Sequence, residues 1–219
     1  MRRAAMEELR REGPAGLSLR AVARRVGIAV SALYRYYPSR DDLLTDLLVT
    51  AFDDHADAVQ AAADAPDVRD ALCGAFRAYR AWGLDHPAEF SLAYGTPVPG
   101  YVAPADRTVR AGSRIGDLLM GLLHRADEQG LIRPEAIRER DQRLTGDTRR
   151  QLQTLADRRR YPLTPALIAL GLDLFVNVQG LVILEIFGHL RPITPDATPY
   201  VNETIETHVD GLLVDHRPS

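Results

Sequence analysis

The side chains with the greatest capacity for specific polar contacts lie near the start of the chain. Residues 18–40 combine serine, arginine and tyrosine, which donate hydrogen bonds to phosphate oxygens and base edges. Residues 1–40 hold nine arginines and three glutamates, a charge of +6, whereas the whole chain carries −3 and the remainder therefore −9. This asymmetry predicts that the N-terminal segment meets a polyanion, with a merely solvated basic face as the alternative.

Patterns typical of catalysis or metal binding are absent from the sequence. The six histidines contain no H-x-x-x-H pair, and a single cysteine, Cys73, rules out zinc sites built from C-x-x-C pairs. There is no Walker A, G-x-G-x-x-G or G-x-S-x-G motif. An enzyme, the competing class, is therefore disfavoured, and neither a cofactor nor a metal ion is expected. The lone cysteine and the charged segment after Met1 favour a cytoplasmic protein without a signal peptide.

Two short helices with a tight turn between them must position the polar side chains of residues 18–37. Ser18 is a good N-cap, and Gly27 is suited to end the first helix. The apolar face of that helix has i, i+3, i+4, i+7 spacing and consists of Leu19, Val22, Ala23 and Val26. Leu33 and Tyr37 give the second helix an inward face. The pattern predicts a helix-turn-helix, whose second helix enters the DNA major groove.

Helical periodicity continues along the chain, and no strand pattern or repeat appears. An S-x-x-D capping box at Ser39–Asp42 opens a helix to about residue 63. Further helices are predicted at 67–86, 88–94, 106–129, 167–190 and 197–215, with a proline-rich loop at 96–104 and weak periodicity over 134–160. The predicted fold is all-α: a three-helix helix-turn-helix DNA-binding domain at 1–46 and a larger effector-binding and dimerisation domain at 47–219.

The most apolar segment, 167–190, is long enough to span a membrane. Four polar residues interrupt it: Asp173, Asn177, Gln179 and Glu185. A charge near the bilayer centre costs roughly 2.5–3.5 kcal/mol. A buried helix is therefore favoured over a membrane span, and each of the four side chains is expected to find a polar partner.

The sequence resembles the TetR family of bacterial repressors over nearly its whole length. The N-terminal matches are Gly13–Ser18, Ala23, Gly27, Leu33-Tyr34, Tyr37 and Ser39–Leu44. Later segments resemble the effector-domain subclass named for Trp, His and Gly: Trp82–Pro87, Phe90, Tyr94-Gly95, Gly180–Val182 and Phe187–Leu190. The first helix begins about one turn later than is usual in the family. Tyr36, Tyr37 and Arg40 replace the common His or Phe and Lys, which implies a different operator sequence.

This resemblance implies a ligand-responsive repressor that binds a palindromic operator in double-stranded DNA as a homodimer. A small, largely apolar effector would release it. The alternative is a DNA-binding or scaffold protein without an effector. The resemblance places Val30–Tyr37 in the major groove. Base contacts are then expected from Ser31, Ala32 and Arg35, and phosphate contacts from Ser18, Arg20, Tyr34, Tyr36, Ser39 and Arg40.

The larger domain is expected to enclose an apolar pocket between its helices. Its candidate lining residues are Phe76, Tyr79, Trp82, Phe90, Tyr94 and Phe175, together with Asn177 and Gln179. The alternative for each aromatic side chain is ordinary core packing. Trp82 and His86, one helical turn apart, are expected to seat the short helix that follows them.

The last two predicted helices carry more apolar surface than one small domain can cover, so two copies are expected to form a four-helix interface. Its candidate residues are Gly180, Ile183, Phe187, Val201, Ile205, Val209 and Leu212. The alternative is a core formed within one chain.

Overall fold

The computed structural model describes residues 1–214, so the predicted helix end at residue 215 and His216 lie outside the described residues. The helices are α1 (Arg2–Gly16), α2 (Leu19–Val26), α3 (Val30–Tyr34), α4 (Arg40–Ala62), α5 (Val68–Asp85), α6 (Pro87–Tyr94), α7 (Ala105–Gly112), α8 (Arg114–Glu128), α9 (Pro134–Arg143), α10 (Gly146–Arg159), α11 (Pro165–Ile186) and α12 (Thr198–Leu212). One isolated bridge joins Ile132 and Leu213, and residues 1–214 contain no strand. The all-α prediction is confirmed.

The N-terminal helices pack around a dry core formed by α1, α2, α3 and the start of α4. Ala5, Leu9, Val22, Leu33 and Leu44 are fully buried there. The predicted local signals are in place. The Ser18 hydroxyl accepts from the Ala21 amide, and Gly27 ends α2 with φ 75°, a left-handed conformation that favours glycine.

The second helix of the motif is shorter than predicted, because α3 ends at Tyr34. The chain continues as a turn, in which the amides of Tyr36 and Tyr37 both donate to the Leu33 carbonyl at 3.0 Å. The Tyr37 hydroxyl then donates to Asp46 of α4 at 2.7 Å. The residues after α3 are therefore held both by a last turn of hydrogen bonds to Leu33 and by the contact with α4.

Two compact units divide the chain. The first contains Met1–Ala58 and Ala81–Arg114, and the second contains Val59–Arg80 and the residues from Ile115 onward. The first unit extends past the predicted boundary after residue 46, because α6 packs against α1. The assignment of residues 1–46 as the DNA-binding domain stays a prediction.

The predicted helix at 106–129 is instead two helices, α7 and α8, which meet at Ser113. At the end of α7, a Cβ on Gly112 would lie 3.3 Å from the ring of Phe52 in α4. The absent side chain therefore lets α7 approach α4 closely within the first unit. The charged segment 134–160 forms α9 and α10, with Pro134 at the start of α9 and Thr145 capping α10.

Helix α11 is apolar on both sides but only partly buried. By length and composition it could cross a membrane, yet 39% of its most apolar window is buried within the chain. Gly171 allows α11 to close on Met120 and Leu123 of α8. The opposite face is exposed at Leu172 and Val176. One face of α11 therefore packs in the core of its own unit, and the other lies outside that core.

Candidate nucleic-acid interface and cavities

The helix α3 presents a polar and aromatic face to solvent. Leu33 is fully buried, as predicted, whereas Ser31 and Arg35 are exposed and Ala32 is half-buried. Tyr34 is 48% exposed and Tyr36 66% exposed. The base-reading and phosphate-contacting candidates of this helix and its following turn are therefore sterically available.

The arginines of the N-terminal helices fall into two groups. Arg2, Arg10, Arg11 and Arg25 form ion pairs with acidic side chains of the first unit. In contrast, Arg20, Arg24 and Arg35 are exposed and form no ion pair or side-chain hydrogen bond within residues 1–214. Their donors remain available to an external anion.

One of these three arginines, Arg24, was missed as a candidate in the sequence. It follows Arg20 by four residues on α2, and residues at i and i+4 share one helix face. That spacing was the signal that could have identified it.

The two capped helix starts differ in charge. The first turn of α2 contains Arg20 and no acidic residue, so the helix dipole and the guanidinium both favour an anion there. The first turn of α4 contains Asp41 and Asp42, and the Ser39 hydroxyl donates to Asp42 at 2.7 Å and accepts from its amide at 3.0 Å. The capping box is confirmed, but the Ser39 hydroxyl is already engaged.

The groups around this box hold the pKa of Asp42 below its usual range, first through the hydrogen bond from Ser39 and then through Arg107. A stably ionised carboxylate repels phosphate. Ser39 is therefore a weaker phosphate candidate than Ser18.

Arg40, which is expected to contact phosphate, also binds backbone carbonyls of the chain itself. Its Nε donates to the Leu17 carbonyl at 3.0 Å, and its Nη2 donates to the carbonyls of Pro14 and Ala15 at 2.7 and 2.9 Å. These oxygens lie where α1 ends and α2 begins. Through these hydrogen bonds Arg40 fastens the end of α1 to the start of α4.

Tyr37, Asp46 and Arg2 form a hydrogen-bonded triad that joins the end of the helix-turn-helix to α4 and α1. Asp46 accepts from the Tyr37 hydroxyl at 2.7 Å and from Arg2 at 2.9 Å. Burial and the carboxylate of Asp46 raise the pKa of Tyr37 to about 12. The pKa of Asp46 is lowered: burial opposes this shift, but the hydrogen bonds from Arg2 and Tyr37 outweigh it.

The aromatic side chains expected to line one pocket are divided between the two units. Trp82, Phe90 and Tyr94 lie in the first unit, and Phe76, Tyr79 and Phe175 lie in the second. In the first unit, Trp82 stacks between His55 and His86, with ring centroids 4.3 and 4.8 Å away.

In the second unit, the ring of Tyr79 meets that of Phe175 edge to face, with centroids 5.8 Å apart. Phe76, Tyr79 and Phe90 are at most 2% exposed. Tyr94 and Phe175 are half-buried, and the pocket expected from all six aromatic side chains stays a prediction.

A cavity of about 440 Å³ lies in the first unit between α4, α6, α7 and the loop from Gly95 to Pro104. Its lining consists of Leu48, Phe52, Leu92, Ala93, Gly95, Thr96, Pro97, Val98, Tyr101, Ala103, Thr108, Val109 and Gly112. None of the predicted ligand-binding residues is in this set. A cavity of about 150 Å³ in the second unit includes Asn177 beside His208 and Gly211, while Gln179 is half-buried on α11.

Three of the four polar interruptions of α11 form hydrogen bonds or ion pairs within the chain. Asp173 pairs with Arg140 at 2.6 Å, and the Asn177 amide donates to the Asp173 carbonyl at 2.7 Å. Glu185 accepts two hydrogen bonds from Arg80, which also donates to the Thr198 hydroxyl at 2.9 Å. These partners account for Asp173 and Glu185 without a ligand.

The candidates for a dimer interface separate into exposed and buried sets. Phe187 is 42% exposed, and Gly180 and Ile183 are half-buried on the same face of α11. Three exposed side chains that sequence reasoning missed extend this face: Leu172, Val176 and Leu184. We call these six residues the α11 face.

The candidates on α12 are instead part of the core. Val201, Ile205 and Val209 are fully buried and Leu212 is 5% exposed, all within the chain itself. This corrects the expectation that they form an intersubunit surface. Helical periodicity identified an apolar face but could not distinguish a partner in the same chain from one in a second copy.

Comparisons with known proteins bear on both parts of the chain. Residues 2–47 match the model for bacterial regulatory proteins of the tetR family, and residues 71–208 match the model for a tetracyclin repressor-like C-terminal domain. The HTH-type transcriptional regulators Rv1816 of Mycobacterium tuberculosis and Mb1846 of Mycobacterium bovis are each 39% identical over 184 residues, covering 80% of this chain and 74% of theirs.

Solved structures are also similar to this chain over most of its length. The crystal structure of SCO4313 is 28% identical, with a TM-score of 0.74 over 96% of this chain and 93% of that one. The TetR family regulator PfmR from Thermus thermophilus shares the fold, with a TM-score of 0.59 at 16% identity over 95% of this chain and 94% of that one. These matches do not specify the Trp-His-Gly subclass, which stays a prediction.

Proposed function

Because the chain belongs to the TetR family of DNA-binding transcriptional regulators, we propose that it is a ligand-responsive repressor that binds a palindromic operator as a homodimer. It is a regulator and not an enzyme. The observation that carries the proposal is the exposed face of α2 and α3, where Arg20, Arg24 and Arg35 have no acidic partner within residues 1–214. We place this activity in the cytoplasm.

Direct reading of bases is assigned to α3. Arg35 can form a bidentate pair with guanine, which is worth about 1–3 kcal/mol of discrimination. Ser31 and Ala32 lie one turn earlier and approach the neighbouring base edges. The phosphates that flank these bases are contacted from two places. Tyr34 and Tyr36 are exposed at the end of α3 and in the turn after it, and Ser18 and Arg20 lie at the start of α2.

A dimer is proposed because one α3 helix covers only one half-site. Palindromic operators place half-sites about 34–36 Å apart, or at a multiple of that distance, and a two-fold dimer matches this symmetry. The α11 face supports the proposal, since Val176 is 63% exposed and Leu184 41% exposed on a helix whose composition is apolar enough for burial. A second copy would cover that face.

Ligand response is proposed as a population shift. The ligand would favour a state in which the two α3 helices are wrongly spaced for the operator. The shift can be no larger than the difference in the ligand's affinity for the two states. The competing candidate is a DNA-binding or scaffold protein without an effector.

The test measures binding to the DNA that flanks the protein's own gene, by fluorescence anisotropy against a scrambled duplex of equal length. Tight binding to the flanking DNA with a sharp preference over the scrambled duplex is expected. Equal affinity for both duplexes would contradict operator recognition. A panel of apolar metabolites and antibiotics is then added. If none lowers DNA affinity or raises the melting temperature, the protein without an effector is favoured.

A further inference from the structure

The three glutamates of α1 each lie beside an arginine. Arg11 donates to both carboxylate oxygens of Glu8, at 3.0 and 2.9 Å, and its Nε lies 2.9 Å from Glu12. Arg25 of α2 donates through Nη1 to Glu7 and through Nη2 to Glu8, each at 3.4 Å. Ion pairs therefore join the end of α2 to the middle of α1.

These residues, together with Arg3, form a group that we call the α1–α2 cluster. Its members are three arginines and three glutamates: Arg3, Glu7, Glu8, Arg11, Glu12 and Arg25. Their formal charges cancel, so the cluster presents no net charge to DNA. In contrast, Arg20, Arg24 and Arg35 have no acidic partner within residues 1–214. The basic charge available to phosphates is therefore concentrated on α2 and at the end of α3.

A groove of about 180 Å³ lies between α1 and α2, where the cluster meets one of these unpaired arginines. Its lining residues are Glu8, Arg11, Ala21, Arg24 and Arg25. Arg24 has all its donors available there, whereas the neighbouring Arg25 is paired. A DNA phosphate bound by Arg24 would therefore lie close to the guanidinium of Arg25.

A buried carboxylate keeps Arg25 in its paired position. The side chain of Glu8 is 3% exposed, and that of Arg25 is 34% exposed. Moving Arg25 towards a phosphate would leave Glu8 in the interior with one counter-charge fewer, which is costly. It would also leave the carboxylate of Glu7 facing the phosphate, and like charges repel. The two glutamates therefore withhold Arg25 from DNA.

We propose that Glu7 and Glu8 are specificity-determining residues, which lower the affinity for DNA of arbitrary sequence by masking Arg25. On an operator, the base contacts of α3 fix the orientation of the DNA-binding helices. On other sequences these contacts are missing, so an unmasked Arg25 would add a phosphate contact in many orientations. Masking favours the operator because it weakens the very numerous competing sites. The inference rests on the proposed DNA-binding function.

Glu7→Gln tests the masking, because the Glu7 side chain is 45% exposed and glutamine has nearly the same size. The substitution frees Nη1 of Arg25 and gives the cluster a charge of +1. The affinity of the full chain for a random-sequence duplex, measured by fluorescence anisotropy, should rise. Each added phosphate contact steepens the slope of log K against log salt concentration by about 0.9. For one contact, the gain should therefore be about 3.5-fold larger at about 50 mM than at about 200 mM salt.

Asp106→Asn is the matched control, since it removes one negative charge from an exposed residue of α7 in the same unit. It should change the slope much less than Glu7→Gln does. The double variant Glu7→Gln/Arg25→Ala restores a neutral cluster and should bind the random duplex as the wild type does. Should Glu7→Gln fail to fold by circular dichroism, Arg25→Ala replaces it. That variant should keep the wild-type slope, whereas Arg24→Ala should reduce the slope by about 1.

The affinity of Glu7→Gln for the flanking-gene DNA should rise less than its affinity for the random duplex, so the ratio of the two affinities falls. An equal gain on both duplexes would overturn the role in specificity. A gain no larger than that of Asp106→Asn, or one that persists without Arg25, would overturn the masking, as would equal slopes for Arg24→Ala and Arg25→Ala.

A loss of random-duplex affinity in Glu7→Gln would also overturn the masking, because it would mean that the ion pairs only hold α1 against α2. Failure of the proposed function is a separate result. It would appear in the wild type, as equal affinity for the flanking-gene DNA and the scrambled duplex.

Discussion

The guanidinium of Arg10 donates to Oε1 of Glu89 at 2.7 Å and thereby joins the first helix of the DNA-binding bundle to α6. The Glu89 side chain is 3% exposed, and its Oε2 is buried without a hydrogen-bond partner among the described residues. Arg10 is its counter-charge. The same helix α6 contributes Leu92 and Ala93 to the cavity of the first unit.

Removing this counter-charge should destabilise the protein. Arg10→Ala is expected to lower the free energy of unfolding by about 1–3 kcal/mol, because a buried carboxylate then lacks its partner. Adding Glu89→Gln to Arg10→Ala should recover part of the loss, since a neutral amide is less costly to bury. Urea denaturation of the single and double variants measures both effects.

The control for that series is Arg3→Ala. Arg3 is 94% exposed and lies 3.9 Å from Glu7, so its removal should change stability by no more than about 0.5 kcal/mol. If the loss of unfolding free energy in the Arg10→Ala/Glu89→Gln double variant equals the sum of the losses in Arg10→Ala and Glu89→Gln, the Arg10–Glu89 contact is energetically unimportant.

Arg20 and Arg40 should differ in the salt dependence of DNA binding. Each phosphate contact contributes about 0.9 to the slope of log K against log salt concentration. Arg20→Ala should therefore reduce the slope by about 1. Arg40→Ala should lower affinity and stability while the slope stays constant, because its donors bind carbonyls of the chain.

Arg40→Lys tests this distinction further. A lysine keeps the charge but cannot reproduce the planar set of donors that reaches Leu17 and Pro14. It should be nearly as damaging as Arg40→Ala. Full recovery by lysine, or a reduced slope for Arg40→Ala, would return Arg40 to the phosphate contacts.

The features predictable from the sequence are those fixed by near neighbours. Ser18 caps α2, Ser39 pairs with Asp42, and Leu33 faces inward, and each depends on residues within one or two helical turns. The all-α class and the order of most helices along the chain were predicted from the same short-range periodicity. The break at Ser113 did not, and neither did the close approach of Gly112 to Phe52, 60 residues earlier in the chain.

The features of the candidate sites that sequence reasoning missed have a common cause. Arg40 reaches carbonyls more than 20 residues away, and no local pattern reveals that they need donors. The buried face of α12 and the exposed α11 face are equally apolar in sequence, and only packing separates a core position such as Ile205 from a surface position such as Val176. Which aromatic rings share a cavity likewise depends on packing between distant helices.

Burial of Tyr37 and its hydrogen bond to Asp46 predict that one tyrosine titrates at unusually high pH. Among the eight tyrosines, Tyr37 should ionise at a pKa of about 12, and Tyr37→Phe should remove that step from the ultraviolet absorbance titration. Because the folded-state pKa is raised above the usual 10.0, the stabilisation is fully present below pH 10 and is lost as pH rises towards 12.

Stability measurements check the same contact. Between pH 10 and pH 12 the wild type should lose more stability than Tyr37→Phe, as followed by urea denaturation at each pH. An identical pH dependence for the two proteins would mean that burial and the hydrogen bond to Asp46 do not raise the pKa of Tyr37.

The α11 face predicts an oligomeric state that one substitution can change. Val176→Glu places a carboxylate where a second copy would cover an apolar surface, so the protein should become monomeric by size-exclusion chromatography with light scattering. The monomer should still fold, with the helical circular dichroism spectrum of the wild type, because Val176 is 63% exposed in the single chain. Val102→Glu, on an 86% exposed residue of the first unit, should leave the assembly intact.

Binding-site selection from a random duplex library tests the central claim, sequence reading by α3, most directly. The wild type should enrich a palindrome, and Arg35→Ala should lose about 1–3 kcal/mol of discrimination at one base pair of each half-site, with little change on random DNA. Enrichment of no sequence by the wild type, or equal losses on selected and random DNA for Arg35→Ala, would contradict the account.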